Sequence, residues 1–182
     1  MEYESLDVAD VVRLTPQVFG DERGFFLETF RQNEFEKYCG PYHFVQDNHS
    51  RSTRGTLRGL HYQFKRPQGK LVRVTRGEVF DVAVDLRRNS LTFGKWVGVH
   101  LSETNKQMLW VPPGFAHGFY TISEVAEFQY KCTDYYAPGD ECCIRWDDPD
   151  LSIQWPMRNA NEVIVSEKDS KGNFFSCTEF LF

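Results

Sequence analysis

Two short stretches of the chain hold side chains able to move protons. They are Arg58-Gly59-Leu60-His61 running into Gln68-Gly69-Lys70, and Pro112-Pro113-Gly114-Phe115-Ala116-His117. A histidine base, a cation beside a developing oxyanion and a second histidine on a neighbouring strand suit proton abstraction next to a carbonyl. In residues 126–131 Phe128 and Tyr130 share one face of an alternating run, so the Tyr130 phenol can reach a cavity and deliver a proton. Lys70 reads either as a solvated strand end or as an inward ammonium; inward, it would contribute roughly 3 to 4 kcal/mol to an oxyanion. Asp81, on a face with small Ala83, is placed to tune that lysine or to orient a histidine.

The same stretches bear on anion and metal chemistry. Arg51, Arg54 and Arg58 fall within eight residues of one another, and guanidinium groups suit bidentate phosphate binding. Arg51 and Arg54 read as a solvated loop, whereas Arg58, three residues from His61, is the expected anion contact. The proline turn that delivers His117 at the start of a strand fits the PxGxxH part of the second cupin motif. Metal-binding cupins place an HxH in their first motif, and here that position reads His61-Tyr62-Gln63. At most two good ligands, His61 and His117, remain, so no metal is expected and His61 is left free to act as a base. Cys39, Cys132, Cys142, Cys143 and Cys177 form an odd set without CxxC spacing, which predicts free thiols in a reducing compartment. His43, His49 and His100 have no partner pattern and read as structural or exposed.

The elements that must position these groups are mostly strands. Alternation over 78–86 puts Phe80, Val82, Val84 and Leu86 on one face and Val79, Asp81, Ala83 and Asp85 on the other. Residues 70–75 are also strand-like, with Arg76-Gly77 as a hairpin turn between the two. Further strands are expected over 94–101, 107–111, 118–122, 126–134 and 142–146. Many short strands between Gly, Pro, Asn and Asp turns predict an all-β sandwich, jelly roll or barrel. Helix is expected only over 34–38, capped by Asn33, and as a turn or two within 162–171. Phe25, Phe26 and Phe30 read as core aromatics after the turn at residues 20–24.

Composition bounds the remainder. The chain has 182 residues, 41% of them hydrophobic and 15% aromatic, enough for one folded domain spanning 1–182. A net charge of -5 argues against nucleic-acid or anionic-membrane partners. Residues 1–10 carry four acidic groups and no apolar core of a signal peptide, and no run approaches the ~18 to 20 apolar residues of a membrane span. A cytoplasmic location follows as the expectation.

Long blocks of the chain resemble the dTDP-4-dehydrorhamnose 3,5-epimerase family. They include Val18-Phe19-Gly20-Asp21-Glu22-Arg23-Gly24-Phe25-Phe26, Phe44-Val45-Gln46-Asp47-Asn48-His49-Ser50, Leu57-Arg58-Gly59-Leu60-His61, Gln68-Gly69-Lys70-Leu71-Val72-Arg73, residues 77–85, Gly114-Phe115-Ala116-His117-Gly118-Phe119 and Ile153-Gln154-Trp155-Pro156. The resemblance runs from about Val18 to Asp169. It implies a cupin jelly roll with a few short helices, working as a homodimer without metal or cofactor on a dTDP-linked 4-keto-6-deoxy sugar. It implies His61 as base steadied by Asp169, Tyr130 as acid on the other face, and Lys70 holding the enolate oxygen. It also implies nucleotide-sugar contacts by Arg23, Glu28, Gln46, Asp47, Asn48, Arg58, His117, Glu141 and Lys168, with Tyr136 stacking on thymine and several contacts coming from the dimer partner. Competing readings are a relative that inverts one carbon or moves the keto group, and a silent nucleotide-sugar binder; the intact set of His61, Lys70, Tyr130 and Asp169 speaks against the last. The tail over 170–182 carries no expected function.

Overall fold

The computed structural model describes residues 1–157, 159 and 163–178. The chain opens with strands β1 (Glu2–Ser5) and β2 (Val12–Thr15), the hairpin β3 (Val18–Asp21) and β4 (Gly24–Leu27), and helix α1 (Gln32–Cys39). Then follow β5 (Gln46–Thr53), β6 (Leu57–Gln63), β7 (Lys70–Arg76), β8 (Glu78–Asp85), β9 (Trp96–Ser102), β10 (Met108–Val111), β11 (Phe115–Thr121) and β12 (Val125–Cys132). A short β13 (Glu141–Cys143), helix α2 (Glu167–Ser170) and a single 3₁₀ turn (Phe175–Cys177) follow. Antiparallel pairing assembles two sheets, ordered β1-β2-β10-β7-β12-β5 and β13-β6-β11-β8-β9. Chain neighbours repeatedly lie in different sheets, which is the pattern of a jelly roll.

Period-2 alternation located most strands, but their pairing depends on long-range contacts. The reversal at Arg76-Gly77 is not a hairpin: β7 pairs with β10 and β12, whereas β8 pairs with β11 and β9. Gly77, at φ 75°, carries the chain from one sheet to the other, and a Cβ there would stand 2.0 Å from the Val125 carbonyl oxygen. The strand expected over 118–122 begins earlier, so His117 lies inside β11 rather than at its start. β5 has almost no apolar alternation to announce it; pairing with β12 along its whole length makes it a strand.

The five-stranded sheet is covered on both faces, which explains why β8 and β11 are buried nearly end to end. On one side Val79, Ala83, Phe115 and Phe119 pack against Val72, Val74, Leu109 and Phe128 of the facing sheet. On the other, Leu60, Phe80, Val82 and Val84 lie under the C-terminal residues Ile144, Leu151, Trp155 and Phe175. Helix α1 begins at Gln32, with Arg31 as its N-cap and Asn33 inside it; Phe35 anchors it against Trp110. α2 is capped by the Ser166 hydroxyl, which accepts from the Asp169 amide; Glu162, included in the expected segment, lies outside the described residues. Phe25 and Phe26 are not core: they are 61% and 71% exposed, because β3 and β4 pair only with each other. Phe30 alone of the three packs inward, against Phe35 and Phe44.

A glycine pair brings β6 and β11 unusually close. A Cβ on Gly59, at φ 113°, would meet Gly118 Cα and the His117 carbonyl oxygen at 2.6 Å, and one on Gly118 would meet the Arg58 carbonyl oxygen at 2.6 Å. The register shifts here, between His117 and Phe119. Gly59→Ala is expected to lower stability by about 2 to 5 kcal/mol, combining left-handed strain with overpacking. Chemical denaturation measures it, with Leu91→Ser, at a 97% exposed site, staying within about 0.5 kcal/mol of the native chain.

Candidate active site

One end of the space between the sheets is a cavity of about 380 Å³. The five-stranded sheet supplies Arg58, His61 and His117, and the six-stranded sheet supplies Gln46, Asn48, Lys70, Tyr130 and Cys132. Regular alternation would send Arg58 and His61, three residues apart, to opposite faces of β6. The irregular register at Gly59 turns both toward the cavity. Tyr130 sits opposite Asn48 and Cys132 opposite Lys70, so the wall is built by register across β5, β12 and β7.

Each histidine is tied to a carboxylate. His61 Nε2 donates to Asp169 Oδ1 at 2.5 Å, and Asp169 comes from α2, 108 residues away. His117 Nε2 lies 2.9 and 3.0 Å from the two oxygens of Asp81, which is fully buried. Asp81 thus orients a histidine, and its charge acts on Lys70 as well. Burial pushes the Asp169 carboxyl up, but the hydrogen bond and charge of His61, with the Ser166 hydroxyl, hold it net below the usual carboxylate range. With Nε2–H committed to Asp169, the lone pair of neutral His61 resides on Nδ1.

Opposite these imidazoles, burial pushes the Tyr130 phenol up to about 12, reinforced by the nearby Cys132 and Glu141. A phenol shifted that way keeps its proton at neutral pH and can donate it. Burial lowers the pKa of the Lys70 ammonium, against the opposing pull of Cys132, Glu141 and Asp81. At the mouth, the Tyr136 hydroxyl donates to Glu141 Oε2 at 2.5 Å, and Lys168 pairs with the same carboxylate. The set can remove a proton from one side of a bound molecule, return one from the other side, and hold negative charge between them.

The sequence profile of the dTDP-4-dehydrorhamnose 3,5-epimerase family matches residues 5–176. A dTDP-4-dehydrorhamnose 3,5-epimerase of Pseudomonas aeruginosa is 59% identical over 177 residues, covering 97% of each chain. The chain belongs to the dTDP-4-dehydrorhamnose 3,5-epimerase family. It is therefore an isomerase-class enzyme, a carbohydrate epimerase. The crystal structure of the Legionella pneumophila dTDP-6-deoxy-D-glucose-3,5-epimerase, in complex with dTDP-4-keto-L-rhamnose, superposes with a TM-score of 0.94 at 49% identity. It covers 98% of this chain and 94% of its own, which establishes the cupin jelly roll. A 3'-monoepimerase from Streptomyces bikiniensis, solved with dTDP-quinovose, shares the fold at a TM-score of 0.87 and 31% identity, with 94% of this chain and 86% of that one covered.

Of the site residues expected from the family resemblance, His61, Lys70, Tyr130, Gln46, Asn48, Arg58, His117, Tyr136, Glu141 and Lys168 line the one cavity, with Asp169 behind His61. Arg23, Glu28 and Asp47 do not. Arg23 pairs with Asp21 on the exposed hairpin, Glu28 with Arg31, and Asp47 with Lys131 beside a second cavity. His43, His49 and His100 are exposed, each near a glutamate. Gln63, which stands where an HxH motif has its second histidine, accepts from the Ala137 amide and donates to the Arg66 and Tyr135 carbonyls, tying down the loop beside the mouth. Cys143 was not expected near the chemistry: β13 sets it directly across from His61, and its sulfur is 4.0 Å from Asp169 Oδ1. Burial pushes this thiol up to about 12.

Because the folded Asp169 carboxyl titrates below its unfolded value, its stabilising effect is complete above the ordinary carboxylate range and is lost as pH falls through the folded value. Denaturation midpoints between about pH 5 and 3 are expected to fall more steeply for the native protein than for Asp169→Asn.

Proposed function

We propose that the protein inverts C3 and C5 of dTDP-4-dehydro-6-deoxy-D-glucose, giving dTDP-4-dehydro-L-rhamnose for dTDP-L-rhamnose synthesis. The observation that carries this reading is the placement of His61 and Tyr130 on opposite sheets lining one cavity that also holds Lys70. The C4 ketone makes the hydrogens on both neighbouring carbons acidic. His61 Nδ1 takes the proton from C3 or C5, the bonding pair moves into the C4 oxygen, and the enolate charge is held by Lys70. As the enolate collapses, the Tyr130 phenol gives its proton to the opposite face of that carbon, and the inverted ketone results. Exchange with solvent returns a proton to Tyr130 and removes one from His61, so no redox partner is needed. Asp169 acts as a positioning residue that keeps Nδ1 unprotonated. A positioned acid or base contributes ~10² to 10⁴ in rate, so the charge-holding group must share the task.

Arg58, Lys168 and the mouth residues Gln46, Asn48, Tyr136 and Glu141 are proposed to hold the dTDP portion, with His117 beside the sugar. The position of Arg23 on, and of Glu28 just after, a hairpin with exposed Val18, Phe19, Phe25 and Phe26 supports a homodimer in which each hairpin completes the partner's site. The apolar clusters shared by both sheets and the C-terminal segment support one domain over 1–182. No helix of the described residues is long and apolar enough to cross a membrane, which fits the proposed cytoplasmic location. The kinship with a 3'-monoepimerase keeps a second reading in play, inversion at one carbon only.

Incubation with dTDP-4-dehydro-6-deoxyglucose in deuterated water, followed by mass analysis of the sugar, separates the readings. Two deuteriums with both centres inverted are expected; one deuterium means a single-centre enzyme, and none with tight binding means a silent binder. His61→Ala is expected to cut exchange at both carbons by at least ~10² while nucleotide affinity survives.

A further inference from the structure

The reaction leaves one nearby group unused. Cys143 Sγ, a His61 ring nitrogen and an Asp169 oxygen all lie within 4.8 Å of one another, and Asp169 is buried behind the cavity wall. Thiolate, imidazole and carboxylate are the three donor types of tetrahedral zinc sites, where ligand distances of roughly 2.0 to 2.3 Å set donor-to-donor edges of about 3.3 to 3.6 Å. His61 Nε2 and Asp169 Oδ1 stand 2.5 Å apart, and Cys143 Sγ and Asp169 Oδ1 4.0 Å apart, so movements of about an ångström bring all three onto one ion. The donors come from β6, β13 and α2, with His61 and Cys143 fixed side by side by strand register. His61 also lines the cavity, which gives a cation the same entrance as the sugar.

We propose that His61, Cys143 and Asp169 form an inhibitory site for a thiophilic divalent cation, zinc or cadmium. The ion takes the place of the proton between His61 Nε2 and Asp169, that proton passes through solvent to Nδ1, and the Cys143 thiol releases its proton to solvent. A neutral imidazole bound to metal through Nε2 carries its proton on Nδ1. The lone pair that removes the substrate proton is then lost, and catalysis stops without blockage of the nucleotide subsite. The inhibitory half rests on the reading of His61 as the base; the binding half stands on geometry alone.

Protein stripped with a chelator is titrated with cadmium chloride while the ultraviolet thiolate-to-cadmium charge-transfer band is followed, and with zinc chloride while sugar deuteration is timed. One equivalent of cadmium is expected to give the band in the native chain and in Cys132→Ser, which alters a thiol that lines the cavity. The band should vanish in both Cys143→Ser and Cys143→Ala, whose far-ultraviolet circular dichroism reports that they are folded. Each variant is compared with its own metal-free rate, and half-inhibition by zinc should require at least about tenfold more metal without Cys143. A band of native strength in the folded Cys143 variants, or no band in the native protein, overturns the site. Cadmium bound with undiminished exchange overturns the inhibitory half. Failure of the metal-free protein to deuterate the sugar would count against the base assignment, while the absorption band would still decide the metal site.

Discussion

Two buried carboxylates, each behind an imidazole, constrain the rest of the site. Asp81 is carried into the interior by β8 and faces His117; Asp169 is carried in by α2 and faces His61. A buried carboxylate without a partner would be costly, so these pairs fix the histidines' orientation as firmly as packing fixes the core. For His61 the consequence is chemical, since the nitrogen that donates to Asp169 decides which nitrogen keeps a lone pair. The surrounding sandwich supplies the geometry that this requires. The five-stranded sheet can hold Asp81 and both histidines because apolar layers cover both its faces, and the close approach of β6 to β11 depends on Gly59 and Gly118.

The opposite wall obeys the same desolvation physics with a different outcome. Burial keeps the proton on Tyr130, whereas it loosens the proton of Lys70. Neighbouring negative groups reinforce the first shift and oppose the second, so the phenol is a firm donor and the lysine a cation restrained by its surroundings. An acid on one sheet facing a base on the other amounts to a division of labour set by environment.

Much of this was legible in the chain. The PxGxxH run, the His61 strand, Gln68-Gly69-Lys70 and the shared face of Phe128 and Tyr130 placed the main groups, because strand alternation and turn chemistry are local properties. What was not legible depended on pairing between distant segments. The Arg76-Gly77 turn passes between sheets, β5 is a strand only because β12 pairs with it, and Phe25 and Phe26 are exposed because their hairpin joins neither sheet. Cys143 beside His61 is likewise a fact of register, invisible in a sequence where the two are far apart.

Proton abstraction depends most on the tautomer of His61, and nitrogen-15 NMR of the imidazoles at neutral pH, with signals assigned through His61→Asn, reads it directly. A protonated Nε2 and an unprotonated Nδ1 on neutral His61 are predicted, with the pattern lost in Asp169→Asn. A neutral His61 with its proton on Nδ1 would contradict the account, because the nitrogen left to act as base would then be the one facing Asp169.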